Sequence, residues 1–220
     1  MKLKKQQLKS WKIYAILDES FFLDRRELLK KFHSLIESPI DVLQFRSKNL
    51  TNFSIYRLAE KMACFSRKKK IPFIINDRPE IALSVGAAGV HLGKSDVSIR
   101  IARKILGAGA IIGKTIRGYR DLIPFENELD YAAVGPVFCT PLKPGLKPIP
   151  CGRLRFLVKN TRIPLVAIGG INLSNVRKIV ENGIGAVAFV RYGVTQKNTC
   201  ERIKNLKKCI LSATENKGVL

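Results

Sequence analysis

The chain has 220 residues, 46% of them hydrophobic, and carries 40 Lys and Arg against 17 Asp and Glu, a formal net charge of +23. That hydrophobic content is that of a globular protein. No apolar run approaches the roughly 18 residues of a membrane helix, and the opening MKLKKQQLKSWK is basic but lacks the apolar stretch of a signal peptide. The five cysteines, at 64, 139, 151, 200 and 209, show no CxxC spacing, so neither a zinc site nor a disulfide framework is indicated and a reducing cytoplasm is the expected location.

No Pro/Gly/Ser-rich linker divides the chain, so a basic N-terminal segment (1–12) followed by one domain (13–215) is expected. Apolar, β-branched runs predict strands at 13–17, 42–46, 72–76, 89–92, 111–114, 131–137, 165–168 and 186–190. Between the first two, Leu28, Leu29, Phe32, Leu35 and Ile36 have helical spacing, as do Ile55, Leu58, Ala59, Met62 and Phe65 after the second. Further helices are expected over 97–106, 151–159, 174–182 and 199–213, with shorter segments after strands 3 and 5. Strand–helix alternation argues for a parallel sheet, and eight strands in about 200 residues match a closed (β/α)8 TIM barrel. An open doubly wound sheet is the competitor, but Asp18-Glu19-Ser20 stands in the first βα turn where a G-x-G-x-x-G would be needed.

In such barrels the working residues lie at the C-terminal ends of the strands. Those positions hold Gln44 to Lys48, Asn76-Asp77-Arg78, Lys94 and Asp96, Lys114-Thr115, Thr140-Pro141-Leu142-Lys143, Gly169-Gly170 and Val190-Arg191. Gln44, Arg46 and Lys48 alternate, so their side chains point to one side of an extended segment, the barrel interior. Two cations there need an anion, either structural acids such as Asp77 or a phosphate, which Arg grips bidentately and Lys as a point charge. Asp77 and Asp96 end neighbouring strands, which run about 4.8 Å apart, and a pair of carboxylates suits Mg²⁺ completed by waters and substrate phosphates. Gly169-Gly170, with Asn172 or Ser174 as a cap beyond it, sits where this fold commonly binds phosphate through backbone N–H groups, although a glycine pair also serves a plain tight turn. His91 reads as a core or strand-end histidine, His33 as a helix residue, and Cys139 as filler without an activating base. No Ser-His-Asp or Cys-His set is evident.

Val42-Leu43-Gln44-Phe45-Arg46-Ser47-Lys48, Pro72-Phe73-Ile74-Ile75-Asn76-Asp77-Arg78, Gly89-Val90-His91-Leu92-Gly93, Gly135-Pro136-Val137-Phe138 and Val166-Ala167-Ile168-Gly169-Gly170-Ile171 together resemble the thiamine-phosphate synthase family, from about residue 13 to 194. The resemblance implies a (β/α)8 transferase that joins a hydroxymethylpyrimidine diphosphate to a thiazole phosphate and releases pyrophosphate. Carried over by position, it implies that Gln44, Phe45, Arg46, Ser47, Lys48, Asn76, Thr115 and Lys143 bind the pyrimidine diphosphate. Arg46, Lys48 and Lys143 would stabilise the leaving group. Asp77 and Asp96 would hold Mg²⁺, and Thr140, Pro141, Leu142, Gly169, Gly170, Val190 and Arg191 would surround the thiazole phosphate. Three features depart from the family: Leu142 stands where a hydroxyl residue is usual, Arg191 where Ser is usual, and the 143–151 segment, rich in proline, is atypical. The related thiazole tautomerases lack the Asn-Asp-Arg signature and use a His where Arg117 stands here, so the synthase is favoured over them. The high charge leaves a third reading, a non-catalytic phosphate-ligand or RNA-binding protein. Yet the basic residues are dispersed and no aromatic platform or helix-turn-helix accompanies them, so nucleic acid is not the expected partner. Solvated cationic helix faces account for the charge most simply. A homo-oligomer is compatible with all of these readings.

Overall fold

The computed structural model describes residues 8–195 and 197–215. Eight parallel strands, β1 (Ile13–Asp18), β2 (Val42–Arg46), β3 (Phe73–Asn76), β4 (Gly89–Leu92), β5 (Ile111–Ile116), β6 (Tyr131–Val134), β7 (Leu165–Ile168) and β8 (Ala186–Phe189), pair in chain order, and β8 returns to β1 to close the barrel. The helices are α1 (Arg25–Ile36), α2 (Asn52–Lys68), α3 (Pro79–Ser84), α4 (Ile99–Leu106), α5 (Cys151–Asn160), α6 (Val176–Glu181), α7 (Arg191–Val194) and α8 (Thr199–Glu215). Only two short 3₁₀ turns, Tyr119–Asp121 and Ile123–Phe125, connect β5 to β6. No described helix is long and apolar enough to cross a membrane.

Local chemistry sets the helix starts. Asp24 accepts the Glu27 N–H at 2.8 Å, Thr51 that of Ser54 and Ser98 that of Ile101, while Pro79 opens α3 where no N–H is required. Leu28, Phe32, Leu35 and Ile36 of α1, and Ile55, Leu58, Ala59 and Met62 of α2, turn to the barrel as their spacing predicts; Phe65 instead lies 44% exposed, edge-on to Phe32 and His33. Strand β6 stops three residues short of its expected end because Pro136 has no N–H to extend the ladder. Strands β1 and β5 run on to Asp18 and Ile116, and β8 ends at Phe189.

The period of two along each strand divides the apolar side chains into two cores. Outward residues such as Ile13, Ala15, Leu17, Leu43, Phe45 and Ile75 pack beneath the helices. Inward residues, among them Tyr14, Ile16, Val42, Ile74, Ile111, Tyr131, Val166 and Ala188, fill the lower barrel. Leu8 and Trp11 close that lower mouth, the indole meeting Tyr14 and Tyr131 edge-on with ring centroids 5.9 and 5.5 Å away. Residues 8–12 of the expected N-terminal segment therefore pack on the barrel, and 1–7 lie outside the described residues.

Gly113 makes room for the buried Tyr131 ring. A Cβ there would stand 2.0 Å from the Tyr131 ring. Gly113→Ala is expected to lower stability by about 1–3 kcal/mol, the usual range for overpacking a filled core, without altering far-ultraviolet circular dichroism. Urea unfolding of the variant beside the parent checks this, and an unchanged midpoint would refute it.

Candidate active site

At the C-terminal ends of the strands the barrel opens into a cavity of about 510 Å³, within the range of small-molecule sites. The alternation on β2 decides who reaches it. Gln44, Arg46 and Lys48 line the cavity, together with Asn76, Asp77, Asp96, Thr115, Thr140, Pro141, Leu142, Lys143, Gly169, Gly170, Val190 and Arg191. Phe45 and Ser47 do not. Phe45 is 1% exposed in the outer core, and Ser47 donates to Glu19 Oε2 at 3.0 Å while its carbonyl accepts from Arg78 Nη1 at 3.0 Å. The strand's parity turns both side chains, expected to contact substrate, away from the cavity, and Ser47 braces the loop behind it.

The cations of this end have unequal partners. Arg46 pairs with Asp18, itself 1% exposed, and Lys48 pairs with Asp77. Lys143 pairs with no carboxylate among the described residues. Burial first, and then repulsion from Arg46 and Arg117, pulls its pKa down. A half-buried ammonium that other cations repel is an electrostatic vacancy suited to an anion. Lys114 donates to Gly93 O at 2.9 Å. Arg117, where the tautomerase relatives would have His, does not line the cavity; it donates to Lys147 O at 2.8 Å and so ties β5 to the 140–150 loop.

Asp77 and Asp96 lie within hydrogen-bonding reach of each other. Burial and that shared hydrogen bond raise the Asp77 pKa, against the pull of Lys48. Burial would raise Asp96 too, but the same hydrogen bond, the Gly93 N–H at 2.6 Å and the charges of Lys48 and Lys114 bring it below its ordinary value. Two carboxylates held this closely favour a shared proton or a cation between them. The backbone contributes: Asp77 has φ 67° and its N–H donates to His91 O at 2.8 Å, which fixes the side chain at the strand tip. Among the described residues no group of three or more His, Cys, Asp or Glu forms a metal cage. An all-oxygen pair is instead the donor set that Mg²⁺ uses when substrate phosphates complete its shell.

Beneath the cavity a hydrogen-bonded chain crosses the barrel. Gln44 Nε2 donates to Tyr14 Oη (2.9 Å), the Tyr14 and Tyr131 hydroxyls are 2.7 Å apart, Tyr131 Oη is 2.9 Å from His91 Nδ1, and His91 Nε2 is 2.8 Å from Thr115 Oγ1. Burial raises both phenol pKa values, so both stay neutral. Burial, then repulsion by Lys143 and Lys114 with Asp96 opposing, pushes His91 down to about 4. Unfolded, the same imidazole titrates near 6.5. The unfolded chain thus binds more protons between those values, so the His91 contribution is complete above pH 6.5 and is lost as pH falls toward 4, by at most about 3 kcal/mol. His91→Gln is expected to flatten the loss of stability over pH 6.5 to 4 in urea titrations. A slope equal to the parent's would place that acid sensitivity on other groups.

The far end of the cavity is built by loops. Gly169 and Gly170 have φ of 104° and 67°, and a Cβ on either would strike Pro136 or Cys139 O at 2.6 and 2.4 Å. Only glycine fits between the two loops, and its backbone is left facing the cavity. Asn172 caps its own turn, accepting from Ser174 N and Oγ, rather than capping α6. Arg191 opens α7. Asp18, His91, Ser95, Asn172, Tyr192 and Arg202 also line the cavity and were not among the expected site residues. The parity that places Gln44 and Arg46 inside would have placed Asp18 inside as well. Arg202 arrives from α8, stacked 4.4 Å over the Tyr192 ring, and no local signal announces it.

The fold and this opening define a single-domain (β/α)8 barrel with a cation-rich ligand cavity at its C-terminal mouth. Comparison with known proteins narrows the class. The family profile described as Thiamine monophosphate synthase matches residues 13–192. The thiamine-phosphate synthase of Caldanaerobacter subterraneus is 33% identical over 89% of this chain and 94% of its own, and that of Clostridium novyi 36% identical over 82% and 89%. A solved thiamine phosphate pyrophosphorylase from Pyrococcus furiosus superposes with a TM-score of 0.83 at 26% identity, covering 94% of this chain and 98% of that one. The chain belongs to the thiamine monophosphate synthase family.

Proposed function

We propose that this barrel joins a hydroxymethylpyrimidine diphosphate to a thiazole phosphate, releasing pyrophosphate and forming thiamine phosphate. The observation that carries the reading is one cavity in which Arg46, Lys48 and the unpaired Lys143 face an acid pair, in a chain that matches the family profile over 13–192.

The bond that breaks joins the pyrimidine methylene carbon to a diphosphate oxygen, and its electrons leave with pyrophosphate. The bond that forms joins the same carbon to the thiazole ring nitrogen. Negative charge therefore grows on the diphosphate, and fixed cations aimed at it lower the barrier. Arg46 offers a planar fork to two phosphate oxygens, and Lys48 and Lys143 add point charges. Asp77 and Asp96 would hold Mg²⁺, which when bound neutralises charge on the diphosphate oxygens. Gln44, Asn76 and Thr115 orient the pyrimidine. Thr140, Pro141 and Leu142, the backbone at Gly169 and Gly170, and Val190 with Arg191 hold the acceptor and its phosphate. No proton transfer to a side chain is required, which agrees with the absence of a nucleophile–base pair from this reading's residues.

A coupling assay tests the function directly: purified protein with both substrates and Mg²⁺, read out as thiamine phosphate. No product under these conditions would overturn it. Asp77→Ala and Asp96→Ala are each expected to abolish Mg²⁺-dependent turnover while the fold survives by circular dichroism, and full activity in either would remove that residue from the metal site. Arg191→Ala is expected to weaken thiazole-phosphate binding about tenfold, the size of one charge-assisted hydrogen bond, and pyrimidine-diphosphate binding less. The opposite ranking in calorimetric titrations would relocate Arg191.

A further inference from the structure

We propose that the chain Gln44–Tyr14–Tyr131–His91–Thr115 is a single polarised hydrogen-bond relay, with Tyr14 and Tyr131 as positioning residues. It fixes what the two sides of the cavity offer a ligand: an acceptor at Gln44 Oε1 and a donor at Thr115 Oγ1.

The direction follows from proton bookkeeping along four contacts of 2.7 to 2.9 Å. An amide nitrogen only donates, so Tyr14 Oη accepts from Gln44. Tyr14 has one hydroxyl proton, and its remaining partner is Tyr131 Oη. Tyr131 in turn has one proton and passes it to His91 Nδ1. A ring nitrogen that accepts carries no proton, so the imidazole proton sits on Nε2 and is donated to Thr115 Oγ1. Thr115 then has its own hydroxyl proton free, and it lines the cavity. Gln44 Oε1 has no partner among the described residues, and Gln44 lines the cavity too. Tyr14 and Tyr131 are 2% and 0% exposed, so any single hydroxyl turned against this order would be a buried, unpaired donor.

The relay has a mirror image. Were Gln44 to turn Oε1 toward Tyr14, every proton would reverse: Nδ1 of His91 would carry the proton and Thr115 would show the cavity lone pairs. The two ends, on β2 and β5, are thus always complementary, donor on one side and acceptor on the other. In the direction stated, the cavity selects a ring that presents an exocyclic amine to Gln44 and an acceptor atom to Thr115. That last step alone rests on the proposed function, with an aminopyrimidine as the ligand class.

The proton on His91 reads the direction without any ligand. The chain has two histidines, so ¹⁵N-histidine labelling of the full-length His33→Gln protein leaves one imidazole, whose tautomer a long-range ¹H–¹⁵N correlation at pH 8 reports. The expected result is Nε2–H; a dominant Nδ1–H overturns the stated polarity. Gln44→Glu places an ionised carboxylate, which only accepts, at the head of the relay, and is expected to shift His91 to Nδ1–H. Adding Tyr131→Phe is expected to cut the relay, so that the change at residue 44 no longer reaches His91. A tautomer indifferent to Gln44→Glu in the intact relay overturns the coupling. In turnover assays Tyr131→Phe is expected to raise KM for the pyrimidine diphosphate about tenfold, the loss of one oriented hydrogen bond, with KM for the thiazole phosphate unchanged. Equal rises in both would assign Tyr131 a merely structural role. An Nε2–H tautomer in a protein without coupling activity would leave the relay standing and remove the proposed function.

Discussion

A side chain on a closed parallel barrel has only two destinations, and the inner one is a space from which water is excluded below and admitted above. Every polar group sent inward beneath the cavity must therefore find its partner inside the barrel. Tyr14 and Tyr131, facing each other at 2.7 Å, meet that demand across the full width of the sheet, and their neighbours follow from it. Gly113 is small because the Tyr131 ring occupies its side of the barrel. Trp11 and Leu8 close the mouth beneath the pair. Gln44 and His91 continue the chain upward because the two phenols have exactly one proton each to give, until the last members reach the cavity and ligand or water can take over.

Above that floor the organising quantity is charge. Arg46 and Lys48 are held by Asp18 and Asp77, and Asp77 in turn leans on Asp96. Each acid thus has a claim on a cation or a proton, while Lys143 has none on an acid. Under the proposed function, a polyanion entering this end would meet one cation ready and two that could exchange a carboxylate for phosphate, leaving the acid pair for a metal. The acids of these pairs, Asp18 and Asp77, are largely buried while Arg46 and Lys48 keep part of their surface in solvent; the same charges on the helix faces, at full exposure, contribute little. The net charge of +23 is therefore a poor guide to this protein, and the few cations that converge at the strand ends are a good one.

The barrel was legible in the chain because burial on both strand faces produces continuous apolar runs, and eight of them alternate with helical spacing. Strand ends shifted by one to three residues, and at β6 Pro136 supplies the local cause. The site was legible wherever parity alone decides it: Gln44, Arg46 and Lys48 alternate and do share the cavity. Phe45 and Ser47 came with the family's contiguous motif, and parity, applied strictly, would have set them aside. What no local pattern could show is pairing across the barrel. Asp18 meets Arg46 over 28 positions and Tyr14 meets Tyr131 over 117, and such partners are fixed by closure and register, not by neighbours in sequence. Arg202 was hidden for the same reason, since α8 returns it to the mouth from outside the alternating pattern.

The same division explains where this chain leaves its family's pattern. Gln44 and Arg46 on β2, and Asp77 one position beyond β3, are tied into the barrel: Gln44 to Tyr14, Arg46 to Asp18, the Asp77 N–H to the His91 carbonyl. Replacing Gln44 takes a donor from the buried Tyr14 hydroxyl, and replacing Arg46 leaves the buried Asp18 without its cation. The departures lie elsewhere, at Leu142, which is 42% exposed on a loop, and at Arg191, which is exposed at the start of a four-residue helix. Neither side chain holds the barrel together, so either position can vary at little cost in stability. Arg191 and Arg202 bring two guanidinium groups to the end of the cavity that Gly169 and Gly170 also line. Under the proposed function, a charge-assisted contact from Arg191 would be stronger than the hydroxyl contact it replaces, so the donor missing at Leu142 would be offset from the β8 side of the cavity.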